Sequence, residues 1–95
     1  MKLELYSVFD KAVKAYMTPF FARARGEAIR SFGDAANDEK HQFGKHANDF
    51  VLYYIGEFDD QSGIVTRVDP ERVISAIELL VVDGVLASPP KGFAG

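Results

Sequence analysis

Residues 49–68, "DFVLYYIGEFDDQSGIVTRV", carry the strongest secondary-structure signal in the chain. The first ten are rich in aromatic and β-branched side chains, and apolar residues fall on both faces, which is typical of a central strand. The polar "DDQSG" predicts a hairpin turn in which Gly63 is free to take a positive φ. "IVTRV" then predicts the return strand, so this segment predicts an antiparallel hairpin.

A second hairpin is predicted before it. Residues 2–9 alternate between the two faces of a strand, and "YMTPFFAR" at 16–23 reads as its partner. Pro19 cannot donate a hydrogen bond to a strand ladder, so we expect this partner to be an edge strand or to be bulged at Pro19. Lys11 and Lys14 are then expected at the hairpin tip.

Two helices are predicted from the change in hydrophobic period. From about Gly26, apolar residues recur at helical spacing on one face, and Asn37 and Asp38 end the pattern. Residues 38–48 read as a polar loop with a lone Phe43. Asp69-Pro70-Glu71 is typical of a helix start, and the second helix is expected to run to about residue 83.

These elements predict an α+β fold, a two-layer sandwich of antiparallel hairpins and two helices in ββαββα order. We expect one domain over residues 1–86 and a flexible C-terminal tail over 87–95. The second helix is apolar nearly all round and needs cover on more than one side. A homodimer is therefore expected, with Ile74, Ile77 and Val81 in its interface.

Composition excludes several classes of site. The 95 residues include no cysteine, so disulfides and thiolate metal sites are excluded. His41 and His46 match no metal motif, and no nucleophile motif or phosphate-binding glycine loop is present. We therefore expect no catalytic residue, no metal and no cofactor. No signal peptide and no membrane-spanning segment are expected either.

The charge is unevenly distributed along the chain. The net charge is −3, which argues against coating nucleic acid by bulk electrostatics. However, residues 1–46 contain eight basic and six acidic residues, a balance of +2, whereas residues 47–95 contain three and eight, a balance of −5. An anionic partner would therefore meet the first half of the chain.

A nucleic-acid interface is one interpretation of that first half. Basic side chains would neutralise phosphates, and the aromatic side chains among them would stack on unpaired bases. The alternative is that the aromatics are core residues and the charges only solvate the surface. The candidate binding residues are Lys11, Lys14, Tyr16, Arg23, Arg25, Arg30, Lys40 and Lys45.

The segments "LYSVFDKAVKAYMTPFF", "EAIRSFGDAAND" and "KHANDFVLYYIGEFDDQSG", with the segment after "VDPE", resemble the small nonstructural protein of gokushoviruses. These are single-stranded-DNA phages of the microvirus group, and the resemblance covers about residues 3–80. It implies a protein of the host bacterial cytoplasm that is absent from the capsid shell. It also implies DNA binding, or action at the switch from duplex replication to single-strand synthesis and packaging. Matching positions that would touch DNA are Arg30, Lys45 and His46.

Two functional hypotheses follow. The first is a non-enzymatic dimer that binds single-stranded DNA through phosphate contacts and base stacking. The second is a protein–protein adaptor that docks the replication initiator or the procapsid without touching DNA. The acidic second half of the chain favours the adaptor, and the resemblance favours DNA binding.

Overall fold

The computed structural model describes residues 1–82 and the backbone of 85–86. Its larger elements are a long first strand, a twelve-residue helix and two long strands that form a hairpin. In chain order the elements are β1 (Lys2–Asp10), β2 (Ala15–Tyr16), β3 (Phe20–Ala22), α1 (Arg25–Ala36), α2 (Gln42–Lys45), β4 (Phe50–Asp59), β5 (Val65–Ser75), a 3-10 helix (Ala76–Leu79), β6 (Val81–Val82) and β7 (Val85–Leu86).

One antiparallel sheet of five strands organises the chain. Its strand order is β2-β1-β4-β5, and β3 also pairs with β1. The two central strands are β1 and β4, while the short β6 and β7 pair with each other in a separate sheet. The α+β class is confirmed, as are both predicted hairpins, and Gly63 takes a φ of 75° in its turn.

The strand that follows the first hairpin tip is broken, as Pro19 predicts. Of the predicted partner strand, only the short β2 and β3 form ladders with β1, and Pro19 lies between them on the sheet edge. The Ser7 hydroxyl donates to the Met17 carbonyl oxygen at 2.6 Å, and Met17 N–H donates to the Val8 carbonyl oxygen at 2.8 Å. These bonds hold the irregular connection against β1.

The ladder register separates the sheet into two faces, because directly paired residues point to the same side. On one face Tyr6 pairs with Tyr54, and Val8 pairs with Leu52. We call this the covered face, because α1 packs on it. The opposite side, which carries Leu5 and Phe9, is called the open face.

The hydrophobic core lies between the covered face and the helices. Tyr6, Leu52 and Ile74 are fully buried there. The buried face of α1 consists of Ala28, Ile29, Phe32 and Ala36, which agrees with the helical period of the sequence. Burying one large aliphatic side chain contributes about 1.5–3 kcal/mol, so Leu52 and Ile74 each stabilise the fold by about this amount.

Asn37 ends α1 and joins it to the 3-10 helix. Its side-chain Nδ2 donates to the carbonyl oxygens of Gly33 at 2.9 Å and Leu79 at 2.8 Å, and its Oδ1 accepts from Val81 N–H at 2.8 Å. The residue therefore satisfies backbone groups of two segments far apart in sequence. The sequence pattern predicted only that the helix stops here.

The loop predicted over residues 38–48 contains the short helix α2. His41 caps it, because its Nδ1 accepts a hydrogen bond from Phe43 N–H at 3.1 Å. Phe43 is buried against Phe32 and Phe50, with ring centroids 5.4 and 4.7 Å away. The prediction of a polar loop was wrong because Phe43 anchors the segment to the core.

The second predicted helix was also wrong, and with it the ββαββα order. β5 runs through Asp69, Pro70 and Glu71 to Ser75, and a 3-10 helix follows. Pro70 is compatible with a strand here because β5 lies at the sheet edge. Strand pairing with β4 places Ile74 opposite Leu52 in the core, which satisfies the apolar run without a helix.

The dimer interface was expected on one face of the second helix, and the structure has a strand and a 3-10 helix there instead. Ile74 is only 1% exposed and belongs to the core, whereas Ile77 and Val81 are 37% and 46% exposed. The predicted tail, residues 87–95, lies outside the described residues, and so do residues 83 and 84.

Across the part of the chain that the structure describes, no helix has the length and apolar character to cross a membrane.

Candidate nucleic-acid interface

The open face of the sheet is rich in apolar and aromatic side chains. Among the described residues, the helices contribute core side chains to the covered face only. The register places the following residues on the open face: Leu3, Leu5, Ser7, Phe9, Tyr16, Phe21, Val51, Tyr53, Gly56, Phe58, Val65, Arg67, Arg72 and Ser75. Five of these are aromatic, and they form two groups.

The first group, which we call the tip cluster, consists of Phe9, Tyr16 and Tyr53. Ring centroids lie 4.8 Å apart for Phe9 and Tyr16, 5.5 Å for Tyr16 and Tyr53, and 6.2 Å for Phe9 and Tyr53. Tyr16 is 47% exposed, although aromatic side chains are favoured in cores. The cluster therefore presents aromatic surface to solvent beside the first hairpin tip.

The second group, which we call the distal pair, consists of Phe21 and Phe58. Their ring centroids lie 5.5 Å apart, and Phe21 is 54% exposed. Phe21 pairs with Leu5, whereas Tyr16 pairs with Phe9. The distal pair therefore lies nearer the start of β1 than the tip cluster does, on the same face of the sheet.

A groove of about 720 Å³ lies between the two groups. Leu5 and Ile55 line it from the central strands, Met17 and Pro19 from one edge, and Val65 and Pro70 from the other. The register of β5 slips between Gly56 and Tyr54, where four steps along β5 match two along β4. This bulge brings residues 68–70 to the groove.

Charge is distributed differently over the two faces. The ladder positions of the open face carry Arg67 and Arg72 but, within the described residues, no carboxylate. Glu4, Glu57 and Glu71 lie at ladder positions of the covered face. The open face is therefore the more compatible of the two with an anionic partner.

Both open-face arginines have acidic neighbours from outside the ladder positions. Arg67 lies 3.5 Å from Asp69 in the β5 bulge, where both side chains are strongly exposed, so water screens this pair. Arg72 lies 2.7 Å from Glu78 of the 3-10 helix, whose other oxygen accepts from Ser75 N–H. Arg67 is thus the more available of the two cations.

The hairpin tip adds two exposed lysines beside the tip cluster. Lys11 and Lys14 occupy the four-residue turn between β1 and β2, and both are exposed. Lys11 N–H donates to the Asp49 carbonyl oxygen at 2.8 Å, and Asp49 N–H donates to the His46 carbonyl oxygen at 2.9 Å. These bonds place the tip next to the segment that carries Lys45, so three predicted lysines share one end of the molecule.

Two of the predicted arginines belong to the helix layer and are already paired. Arg23 binds Glu27 at 3.1 Å, and its backbone N–H is the main cause of the lowered pKa of that carboxyl. Arg25 lies 3.2 Å from Glu71, with its guanidinium 5.7 Å from the Tyr54 ring centroid. Neither side chain is brought together with Tyr16.

The remaining predicted residues also belong to the helix layer. Arg30 is exposed on the outer side of α1, and Lys40 is exposed in the connection to α2. Within residues 1–82, His, Asp and Glu side chains form no group of three or more that could hold a metal ion. The predicted nucleic-acid-binding residues are therefore divided between the open face with its hairpin tip and the helix layer.

Two tyrosines with raised pKa values lie on the covered face. The Tyr6 hydroxyl donates to Glu4 Oε1 at 2.6 Å. Burial, together with this hydrogen bond, raises the pKa of Tyr6 to about 12. Burial and the nearby carboxylates of Glu57 and Glu4 also raise the pKa of Tyr54. These groups stabilise the covered layer and are not part of the open face.

Phe9, Tyr53 and Phe58 were not among the residues predicted from sequence, whereas Phe21 is one of the aromatic residues that lie among the basic residues of the first half. The signal that could have found them is the alternation in β1 and β4, which places Phe9 on the face opposite Tyr6, and Tyr53 on the face opposite Tyr54. Because both faces of β4 are apolar, that pattern predicted cover on both sides instead.

A family model for the phage ORF5 protein matches residues 3–79 of the chain. No curated protein and no solved structure matches it. The match covers every element from β1 to the 3-10 helix, including the open face and the hairpin tip. The chain is a bacteriophage protein and belongs to the phage ORF5 protein family.

Proposed function

We propose that this phage protein binds single-stranded DNA on the open face of its sheet, without catalysing a reaction. The observation that carries the proposal is the tip cluster: three aromatic rings in contact on a sheet face, one of them 47% exposed, beside an exposed lysine turn. Unpaired bases stack on such rings, and each stacked base contributes about 1–3 kcal/mol.

Phosphate contacts would come from the cations at the edges of this face. Lys11 and Lys14 lie at the tip, and Arg67 lies at the opposite sheet edge. A strand whose bases stack on Tyr16 would carry its phosphates past the tip lysines. Because each neutralised phosphate releases counterions, the logarithm of affinity should fall with that of salt by about 0.7 for each contact.

The single-strand preference follows from stacking. A base inside a duplex already stacks on its neighbours and cannot offer its face to Tyr16 or Tyr53. Arg23, Arg25 and Arg30 take no part in this proposal, because they lie in the helix layer. The proposed interface therefore contains fewer basic residues than the one predicted from the sequence.

The biological setting is also part of the proposal. The resemblance to the small nonstructural protein of gokushoviruses supports a role in the host bacterial cytoplasm during genome replication. In this proposal, the open face binds the newly made single strand at the switch to single-strand synthesis and packaging.

The test is fluorescence anisotropy of a labelled single-stranded oligonucleotide, titrated with protein at several salt concentrations and competed with duplex. Salt-sensitive, single-strand-preferring binding that Tyr16→Ala weakens by about fivefold or more supports the proposal. Val13→Ala is the matched control, since Val13 lies in the turn that precedes β2 and is 69% exposed. No binding at low salt, or equal loss in both variants, contradicts it.

A protein–protein adaptor is the second candidate, and one observation favours it. The groove between the aromatic groups is lined mainly by apolar side chains, and the net charge of the chain is −3. A peptide of the replication initiator or the procapsid would suit such a groove. Pull-downs from infected cells with and without nuclease separate the two functions, because only a DNA-bridged partner is lost with nuclease.

A further inference from the structure

We propose that the open face holds one DNA strand at two base-stacking stations, the tip cluster and the distal pair, with the groove between them. This inference rests on the proposed function and adds the path of the strand and the length of the site. Both aromatic groups lie on the same face, and both include a side chain about half exposed: Tyr16 in one and Phe21 in the other.

The separation of the stations follows from the register. Tyr16 pairs with Phe9 and Phe21 pairs with Leu5, so the stations are four residues apart along β1. At about 3.3 Å per residue this is roughly 13 Å. A stacked strand rises about 3.4 Å per nucleotide, so the stations are about four rises apart and about five nucleotides reach from one to the other.

The floor between the stations suits nucleobases rather than phosphates. Leu5 and Ile55 offer apolar surface there, and the groove of about 720 Å³ is continuous with Tyr16 at one end and Val65 at the other. Val65 pairs with Phe58 of the distal pair. Bases would therefore lie against one apolar surface from station to station.

Charge favours a nucleic-acid strand over an apolar peptide. The ladder positions of the open face carry arginines and, within the described residues, no carboxylate. The acidic ladder residues lie on the covered face instead. Asp69 also lines the groove and lies 3.5 Å from Arg67, but both side chains are strongly exposed, so water screens the pair and Arg67 can still contact a phosphate at the groove rim.

The experiment compares thymidine oligonucleotides of different lengths as competitors of a labelled octanucleotide. A dinucleotide reaches one station and is expected at the tip cluster, where Lys11 and Lys14 lie. Wild-type affinity is expected to rise steeply from the dinucleotide to the pentanucleotide and only slightly beyond it. Phe21→Ala should weaken the affinity for the pentanucleotide and the octanucleotide by about fivefold or more and leave the affinity for the dinucleotide unchanged.

Ile64→Ala is the matched control, because Ile64 is 60% exposed and precedes β5 at the same end of the sheet. Tyr16→Ala should weaken the affinity for all three oligonucleotides. If Phe21→Ala behaves like Ile64→Ala while Tyr16→Ala still weakens binding, the two-station site is overturned and the proposed function stands. If the wild type binds none of them, both are overturned.

Sedimentation of the free protein tests the rival occupant. A monomer, or a dimer unaffected by Phe21→Ala, agrees with DNA as the occupant of the distal pair. A dimer that Phe21→Ala dissociates would assign the distal pair to a second copy and overturn the inference.

Discussion

The two faces of the sheet carry similar apolar and aromatic side chains but differ in how far these are buried. On the covered face, Tyr6, Leu52 and Ile74 are fully buried against a helix, and their burial explains their presence. On the open face, Tyr16 and Phe21 are about half exposed, and the described residues place no helix over them. Exposed aromatic surface contributes little to folding, so the difference between the faces supports the proposal that the open face binds a partner.

The largest expected effect comes from a matched pair of phenylalanines, one on each side of the sheet. Phe32 is 3% exposed on α1, so Phe32→Ala should lower the free energy of unfolding by about 3–5 kcal/mol. Phe21→Ala should lower it by about 1 kcal/mol or less, because Phe21 is 54% exposed. Urea denaturation measures both, and similar losses would contradict the division between the faces.

A smaller loss is expected from Asn37→Ala. The Asn37 side chain makes three hydrogen bonds, one to Gly33 within α1 and two that join α1 to Leu79 and Val81, so their removal should cost about 2–3 kcal/mol of unfolding free energy. The exposed Asn48 supplies the control, and Asn48→Ala should change stability by about 0.5 kcal/mol or less. If Asn37→Ala and Asn48→Ala lowered the free energy of unfolding equally in thermal and urea denaturation, the covered layer would not depend on this junction.

Alkaline pH should weaken the covered layer through Tyr6. Its pKa is raised to about 12, so its stabilisation is complete below pH 10 and is lost as the pH rises from 10 to 12. At pH 11 the loss is about 1 kcal/mol relative to pH 9.

Tyr6→Phe keeps the ring and removes the phenol, so unfolding free energy should fall less steeply with alkaline pH in this variant. Part of the slope should remain, because the pKa of Tyr54 is raised in the same direction. Urea denaturation from pH 9 to pH 11 measures the slope. An unchanged slope in Tyr6→Phe would contradict the assignment.

The smallest effect is expected from Gly33→Ala, and it has the opposite sign. A methyl group at Gly33 would lie 3.6 Å from Leu79 Cδ1, an ordinary van der Waals contact. Alanine is favoured over glycine inside a helix, so the free energy of unfolding should rise by about 0.5–1 kcal/mol. A fall in the thermal midpoint would show that α1 packs more tightly on the 3-10 helix than the structure indicates.

Local patterns predicted the sheet and α1 because they depend on neighbours in sequence. The alternation in residues 2–9, the run from Phe50 and the turn at Gly63 are all read from short spacings, and each is confirmed. Phe43 and Ile74 could not be placed in this way. Their conformations are decided by core partners far along the chain, and Asp69-Pro70-Glu71 is compatible with both a helix start and an edge strand.

The candidate site was predictable in part for the same reason. Lys11, Lys14 and Tyr16 are joined by one hairpin, so the sequence places them together, and the structure does as well. Arg25 is distant from them in space because α1 crosses the other face, and its ion pair with Glu71 spans 46 residues of sequence. Tyr53 joins the cluster only through the pairing of β4 with β1.

The most direct test of the open face is a titration of ¹⁵N-labelled protein with a thymidine octanucleotide, followed by backbone amide chemical shifts. We expect the shift changes to concentrate at Phe9, Tyr16 and Tyr53 and in the turn that carries Lys11 and Lys14, with the outer side of α1 unchanged. Shifts concentrated around Arg23 and Arg30, or no shifts at low salt, would contradict it.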